Sequence, residues 1–252
     1  MIVREGDAEA LPSYMTYVVG EAVFRPLVDR LGGYAVHNAE ALRPLDGQSF
    51  ILSPNHRSNW DSFIVGLSLL DLPDLTEDAD QEPLQPRAIH FMGKDSLWRY
   101  PVVKQFITRC GAFPVQRDRG VGLEDHQIDH IGNLIDHQAV LGIYPQGHRL
   151  RKPEDEESIH REDLKTTIAY LALKYGIPIL PVGIAGPVKG RKLPRTLVFG
   201  EPVMVGKSST DDEAAFKREK YALMDHLRDR MDEEYKLARQ LHLPRLAPSP
   251  AA

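Results

Sequence analysis

The chain of 252 residues is 42% hydrophobic and 27% charged, an ordinary globular composition that excludes a disordered, collagenous or coiled-coil bulk. A formal net charge of −5 leaves no basic excess of the kind a nucleic-acid binder carries. The lone cysteine, Cys110, excludes an intramolecular disulfide framework and a multi-cysteine zinc site.

Residues 1–12 read as a flexible N-terminus. Over 13–31, Tyr17, Val18, Ala22, Leu27, Val28 and Leu31 alternate with charged residues, which predicts an amphipathic helix divided by Pro26 and ended by Gly32-Gly33. Glu21, Arg25, Asp29 and Arg30 lie in the most apolar window, 14–36, so it does not read as a membrane span, and no secretory signal is expected. The apolar run Phe50-Ile-Leu52, bounded by Gly47 and Pro54, predicts a strand. A helix over 61–70 and an acidic surface loop over 71–86 follow. Strands are expected at 88–92, 112–115, 140–144, 177–184 and 196–199, and helices at 96–110, 123–138 and 164–175, the last stopped by Gly176. Residues 149–162 are charged and loop-like. A Thr210–Glu213 capping box opens a helix to about 239, and the Pro/Ala-rich tail 243–252 is expected to be flexible. Strands alternating with helices, without a repeat or a linker, predict one α/β domain over 13–242: a mixed β-sheet flanked by helices, with an N-terminal amphipathic segment.

The segment Ser53-Pro-Asn-His-Arg-Ser-Asn-Trp-Asp61 carries the most chemistry. On a continuous helix His56 and Asp61 would lie ~140° apart, so they meet only if the chain turns between them. With Ser58 as N-cap, Asp61 falls in the first helical turn and can accept a bond from one imidazole nitrogen while the other faces a cleft. That is the base and orienter of a triad. No Gly-x-Ser-x-Gly elbow accompanies it, which points to general-base activation of a substrate hydroxyl and not to a covalent enzyme intermediate. The competing reading is a capping box in which Asp61 only caps a helix. Arg117 follows one predicted strand and Gly147 and Arg149 another, and ligands in α/β sheets collect beyond strand C-termini. Two arginines there can clamp a phosphate, although a single arginine is more often a solvated surface charge. Pro178 and Pro181 in the strand at 177–184 suit a sheet edge or rim.

Together these residues resemble the glycerolipid acyltransferase family, typified by the 1-acylglycerol-3-phosphate (lysophosphatidic acid) acyltransferases, over about 23–239. The family's Asn-His-x-x-x-x-Asp is matched by Asn55, His56 and Asp61, and its second motif by Gly111, Phe113 and Arg117. Its Phe-Pro-Glu-Gly-Thr-Arg appears as Tyr144-Pro-Gln-Gly-His-Arg149. Its proline-bearing apolar strand is 177–184, and Phe91-Met-Gly-Lys94 is similar to its strand ending in lysine. The resemblance implies that His56 takes a proton from a lysolipid hydroxyl, which attacks the thioester carbonyl of acyl-CoA or acyl-carrier protein. It implies that Asp61 orients the imidazole, and that Lys94, Arg117, Gln146, Gly147 and Arg149 bind substrate. No metal or cofactor is implied, because the co-substrate thioester is already activated. Three positions depart from the family: Gln146 replaces Glu, His148 replaces Thr, and Thr167 stands where a glycine is expected. They bear on the acceptor more than on the reaction class. They leave open another lysolipid, a small hydroxyl or amine acceptor, or a non-catalytic lipid-binding protein on the same fold.

His126, His130 and His137 share one predicted helix face opposite Ile128, Ile131 and Ile135, and read as a solvated face, with no metal assigned. Cys110 reads as a small core residue. Residues 87–119 hold seven Lys/Arg against two Asp, interleaved with Trp98, Tyr100 and Phe106. That mixture suits the headgroup region of an anionic membrane. With the implied lipid substrate, it predicts a cytoplasmic enzyme held peripherally on the inner face of a membrane.

Overall fold

The computed structural model describes residues 22, 25–30, 32–58, 60–76, 81–115, 123–149, 164–186 and 195–246. Its elements, in chain order, are α1 (Arg25–Arg30), β1 (Tyr34–His37), a 3₁₀ helix (Ala39–Leu45), β2 (Phe50–Pro54), α2 (Asp61–Leu70), α3 (Leu72–Leu75), β3 (Ile89–Lys94) and a second 3₁₀ helix (Asp95–Arg99). There follow α4 (Pro101–Arg109), β4 (Phe113–Val115), α5 (Asp125–Asp136), β5 (Val140–Gly142), α6 (Thr167–Tyr175), β6 (Ile179–Ala185), β7 (Arg195–Phe199) and α7 (Glu213–Leu246).

The seven strands form one sheet in the order β1-β7-β6-β2-β5-β3-β4. Every pairing is parallel except β6 with β7. Strand alternation sends Phe50 and Leu52 to one face and Ile51 to the other. On the first face they pack with Leu45, Ile64, Val65, Leu180 and Phe199 under α1, α2 and the first 3₁₀ helix. On the second face Ile51, Leu141 and Ile179 pack with Ile131 of α5, Ile168 of α6 and Leu227 and Met231 of α7. Coverage of both faces explains why β2, β5 and β6 are apolar along their lengths.

The mixed α/β sheet flanked by helices is the expected architecture. Of the expected N-terminal helix, only Ala22 and the last turn lie among the described residues. That turn buries Val28 and is closed by Gly33, whose N–H reaches the Val28 carbonyl at 2.9 Å with φ at +69°. Arg25 and Tyr34 both bond Asp71, which pins α1 and β1 to the C-terminal end of α2. Three expectations change. Strand β1 has no counterpart in the predicted elements. The acidic segment 71–86 is not wholly surface, because Leu72, Thr76 and Leu84 are buried and Thr76 accepts the Leu84 N–H at 2.9 Å. The proline-bearing strand β6 is interior, between β2 and β7. Pro181 is tolerated there because it falls between two stretches of antiparallel pairing, Ile179 with Val203 and Val182 with Phe199.

Helix α7 starts where the Asp212 carboxylate, and not the expected Thr210, accepts the Ala214 N–H at 3.0 Å, and it runs past the expected end near 239 to Leu246, into the segment expected to be flexible. It buries Met224, Leu227, Met231, Tyr235 and Ala238, a stripe at helical spacing. It approaches the sheet closely because two facing positions lack side chains. A Cβ on Gly183 of β6 would lie 2.1 Å from the Glu234 carbonyl oxygen, and one on Gly200 would lie 2.6 Å from the Glu234 carboxylate. The Glu234 carboxyl is held above its usual range, mainly by burial.

We expect Gly183→Ala to destabilise the protein by ~1–3 kcal/mol, since the added methyl meets backbone and α7 must lift. Urea unfolding measures this. Gly206→Ala, where a Cβ meets nothing within 4 Å, is the near-neutral control.

Candidate active site

The parallel strands β2, β5, β3 and β4 are neighbours, so the segments leaving their C-terminal ends gather along one edge of the sheet. Asn55 and His56 follow β2, Lys94 closes β3, residues 143–149 follow β5, and Phe113–Val115 leads toward Arg117.

Asn55 locks the first of these segments in place. Its amide nitrogen donates to the Ile184 carbonyl at 3.0 Å, and its carbonyl accepts the Ile184 N–H at 2.6 Å. This fully buried side chain mimics a strand where the β2–β6 ladder ends, and the chain leaves the sheet from there. The turn that follows wraps around Asp61, whose exposure is 0%. A carboxylate so placed needs donors. Asp61 Oδ2 accepts the backbone N–H groups of Arg57 at 2.5 Å and Ser58 at 2.6 Å, while Oδ1 accepts the Ser58 hydroxyl at 2.8 Å. His56 Nδ1–H donates to the same Oδ2 at 3.0 Å. The two residues therefore meet through a turn, as their spacing requires. The cap differs from the expected one. Helix α2 begins at Asp61 with Trp60 in the N-cap position, and Ser58 lies outside the helix with its hydroxyl accepting the Trp60 N–H at 3.1 Å. Asp61 thus points back into the turn, and its carboxylate gathers the preceding loop.

The segment after β5 completes the surroundings of His56. Gln146 is fully buried, and its Oε1 accepts the His56 backbone N–H at 2.6 Å. Its Nε2 is buried without a hydrogen-bond partner among the described residues. Tyr144 stacks on the imidazole with ring centroids 4.2 Å apart, and on Phe91 of β3 at 5.6 Å. Gly142 makes room for that ladder: a Cβ there would lie 2.4 Å from the Phe91 ring. The Tyr144 hydroxyl bonds Ser62 at 3.0 Å. Burial first, and the Asp61 charge second, push the Tyr144 phenol well above its ordinary value, so it stays neutral. Gly147, at φ +69°, closes the turn with its N–H on the Tyr144 carbonyl at 3.0 Å, and Lys165 N–H anchors the turn through the Pro145 carbonyl at 2.6 Å. His148 is exposed and donates Nδ1–H to the Gln146 carbonyl at 2.8 Å.

Of the residues singled out from sequence, His56 is in direct contact with both Asp61 and Gln146. Lys94, Gly147 and Arg149 follow strands at the same sheet edge, and Arg117 lies outside the described residues. Tyr144 and Arg57 had no assigned role, and Ser58 only that of an N-cap. Only the aromatic at the head of the third motif offered a signal for one of them. Arg195 of β7 shares the electrostatics of the site: burial lowers its guanidinium pKa, and Asp61 pushes it back up. Gly111, at φ +79° and with its carbonyl accepting His90 Nδ1–H at 3.1 Å, forms the turn into β4. Burial pushes the Cys110 thiol up to about 11, so it is protonated and unreactive at neutral pH. His126 faces Glu124 at 3.2 Å, His130 lies edge-on to Phe113, and His137 bonds the Asn133 carbonyl at 2.7 Å. Among the described residues no group of three or more His, Cys, Asp or Glu side chains is placed to hold a metal.

A family model described as acyltransferase matches residues 33–185, which include every site residue named from sequence. The chain is 26% identical over 176 residues to the 1-acyl-sn-glycerol-3-phosphate acyltransferase of Bacillus subtilis, covering 68% of this chain and 74% of the relative. It is 24% identical over 185 residues to the enzyme of the same name from Streptococcus pneumoniae, covering 73% of this chain and 57% of the relative. The fold is similar to that of the 1-acyl-sn-glycerophosphate (LPA) acyltransferase PlsC from Thermotoga maritima. The TM-score is 0.53 at 19% identity, over 89% of this chain and 83% of that one. The family-model match over more than half the chain places the protein in the acyltransferase family.

Proposed function

We propose that the enzyme moves a fatty acyl group from acyl-CoA or acyl-carrier protein to the free hydroxyl of a lysoglycerolipid, with 1-acylglycerol 3-phosphate as the leading acceptor. The observation that carries this reading is the His56 Nδ1–Asp61 bond, 3.0 Å long, with the imidazole one-fifth exposed and the carboxylate buried. With Nδ1 committed to Asp61, Nε2 is the nitrogen for proton transfer. It takes the hydroxyl proton as the acceptor oxygen bonds to the thioester carbonyl carbon. The tetrahedral intermediate collapses by breaking the C–S bond, and the imidazolium returns the proton to the departing thiolate. Asp61 stabilises the imidazolium between the two steps. Gln146 holds the His56 backbone, and Lys94, Arg117, Gly147 and Arg149 receive the acceptor's phosphate. The thioester is itself the activated group, so this chemistry calls on no further cofactor. Gln146 and His148, in place of the family's Glu and Thr, favour as a second reading a lysolipid with another headgroup or a small hydroxyl or amine acceptor.

We also propose that the protein works at the inner face of an anionic membrane without crossing it. Among the described residues no helix is long and apolar enough to span one. Leu97, Tyr100 and Val103 are exposed at three-residue spacing just beyond Lys94, and Tyr100 is 65% exposed. Exposed Arg99 and Lys104 lie among them. Apolar side chains edged by cations suit a headgroup layer.

A panel of acyl donors and acceptors read by mass spectrometry tests the reaction. Wild-type protein should form phosphatidate from lysophosphatidate. His56→Ala should lose ~10²–10⁴-fold in kcat while remaining folded, and turnover at the wild-type rate would overturn the mechanism. Asp61→Asn, which keeps shape but loses charge, should cost up to ~10⁴-fold. Flotation with phosphatidylglycerol vesicles tests the second proposal. Wild-type protein should float, less so in high salt, and the combined Leu97→Ser, Tyr100→Ser, Val103→Ser variant should stay at the bottom. Equal flotation of the two would remove this edge as the contact.

A further inference from the structure

The matched family region ends at residue 185, yet the turn carrying His56 and Asp61 is held from beyond it. Arg57 stands directly after His56 and is only 5% exposed. Its backbone N–H is one of the donors on Asp61 Oδ2. Its side chain runs the other way, into α7, where Nη1 donates to the Tyr235 hydroxyl and the guanidinium lies 5.4 Å from the centre of the Tyr235 ring. Tyr235 is fully buried, and Arg239 approaches the same ring at 6.0 Å. A buried guanidinium with both an oxygen acceptor and a ring face has little freedom, and its main chain is held with it. The anchor itself is rigid, because Glu234 packs against Gly183 and Gly200 with no room for a Cβ at either position.

We infer that Tyr235, through Arg57, is a positioning residue for the His56–Asp61 pair, so that the C-terminal helix sets the geometry of proton transfer. This rests on the proposed acyl-transfer reading for its kinetic consequence. Its structural consequence does not depend on that reading: with Tyr235 in place, the Arg57 N–H holds Asp61 Oδ2 where it accepts His56 Nδ1–H, and neutral His56 is a single tautomer. Without the Tyr235 hydroxyl the turn relaxes, and Nδ1 and Nε2 compete for the proton.

Tyr235→Phe tests this, because it keeps the ring and its packing and removes one oxygen. We expect kcat to fall ~10- to 100-fold with KM for donor and acceptor within ~2-fold of wild type, and the melting temperature to drop by only a few degrees, because a buried guanidinium loses its acceptor. In long-range ¹H–¹⁵N spectra, with His56 assigned by its loss in His56→Ala, wild-type protein should show the Nδ1–H tautomer and Tyr235→Phe a mixture. Tyr235→Leu, which also removes the ring, should be worse in both readouts if it folds. Wild-type kcat and an unchanged tautomer in Tyr235→Phe would overturn the inference. So would a lowered melting temperature with unchanged kcat per folded molecule, which is the signature of packing alone. A wild-type protein inactive with every donor and acceptor would instead sink the acyl-transfer reading, and the tautomer shift would still decide the role of Tyr235.

Discussion

A carboxylate with no exposure to water sits at the centre of this protein, and its solvation by the chain determines the local fold. Asp61 takes its donors from the backbone of Arg57 and Ser58, the Ser58 hydroxyl and the His56 ring. Few conformations of a five-residue segment present so many donors to one side chain. Burial of the charge therefore selects the turn, and the turn delivers the imidazole to Asp61. Helix α2 begins at the carboxylate, which also places a negative charge at the positive end of the helix dipole. One group thus puts a charge at the start of the helix, gathers the preceding loop and bonds the imidazole.

The sheet extends this arrangement from one loop to four. Parallel neighbours β2, β5, β3 and β4 send their exits to the same edge, and contacts between exits keep them in register. Gln146 on the His56 backbone and Tyr144 on the His56 ring join the first and third motifs directly. The Glu-to-Gln departure takes on meaning there. A neutral amide can accept the His56 N–H as a carboxylate would, but it adds no second buried charge near Asp61. Its Nε2 has no hydrogen-bond partner among the described residues, so the side chain braces His56 through its carbonyl alone.

Much of this was legible in the sequence, and the limits have physical causes. Apolar runs flanked by turn residues located β2 through β7, because buried parallel strands leave that mark. The spacing of His56 and Asp61 required a turn, and the turn is present. Strand β1 was illegible because its four residues, Tyr34–His37, are only half-buried and pair with β7, far away in sequence. Reading β6 as an edge followed from its prolines, and the interruption in β7 pairing that accommodates Pro181 has no local signal. The acidic segment concealed Leu72, Thr76 and Leu84 because its charge dominates any composition window. The Arg57–Tyr235 contact spans 178 positions and leaves no trace in either segment alone.

Helix α7 carries a consequence for synthesis. Every motif residue from Asn55 to Arg149 leaves the ribosome long before residues 224–238, whose side chains cover one face of the sheet. A nascent chain that has reached β7 therefore carries all of these motifs beside a sheet face that α5 and α6 cover only in part. That surface is an invitation to chaperones or to aggregation. The last helix thus decides when the second face of the sheet is closed.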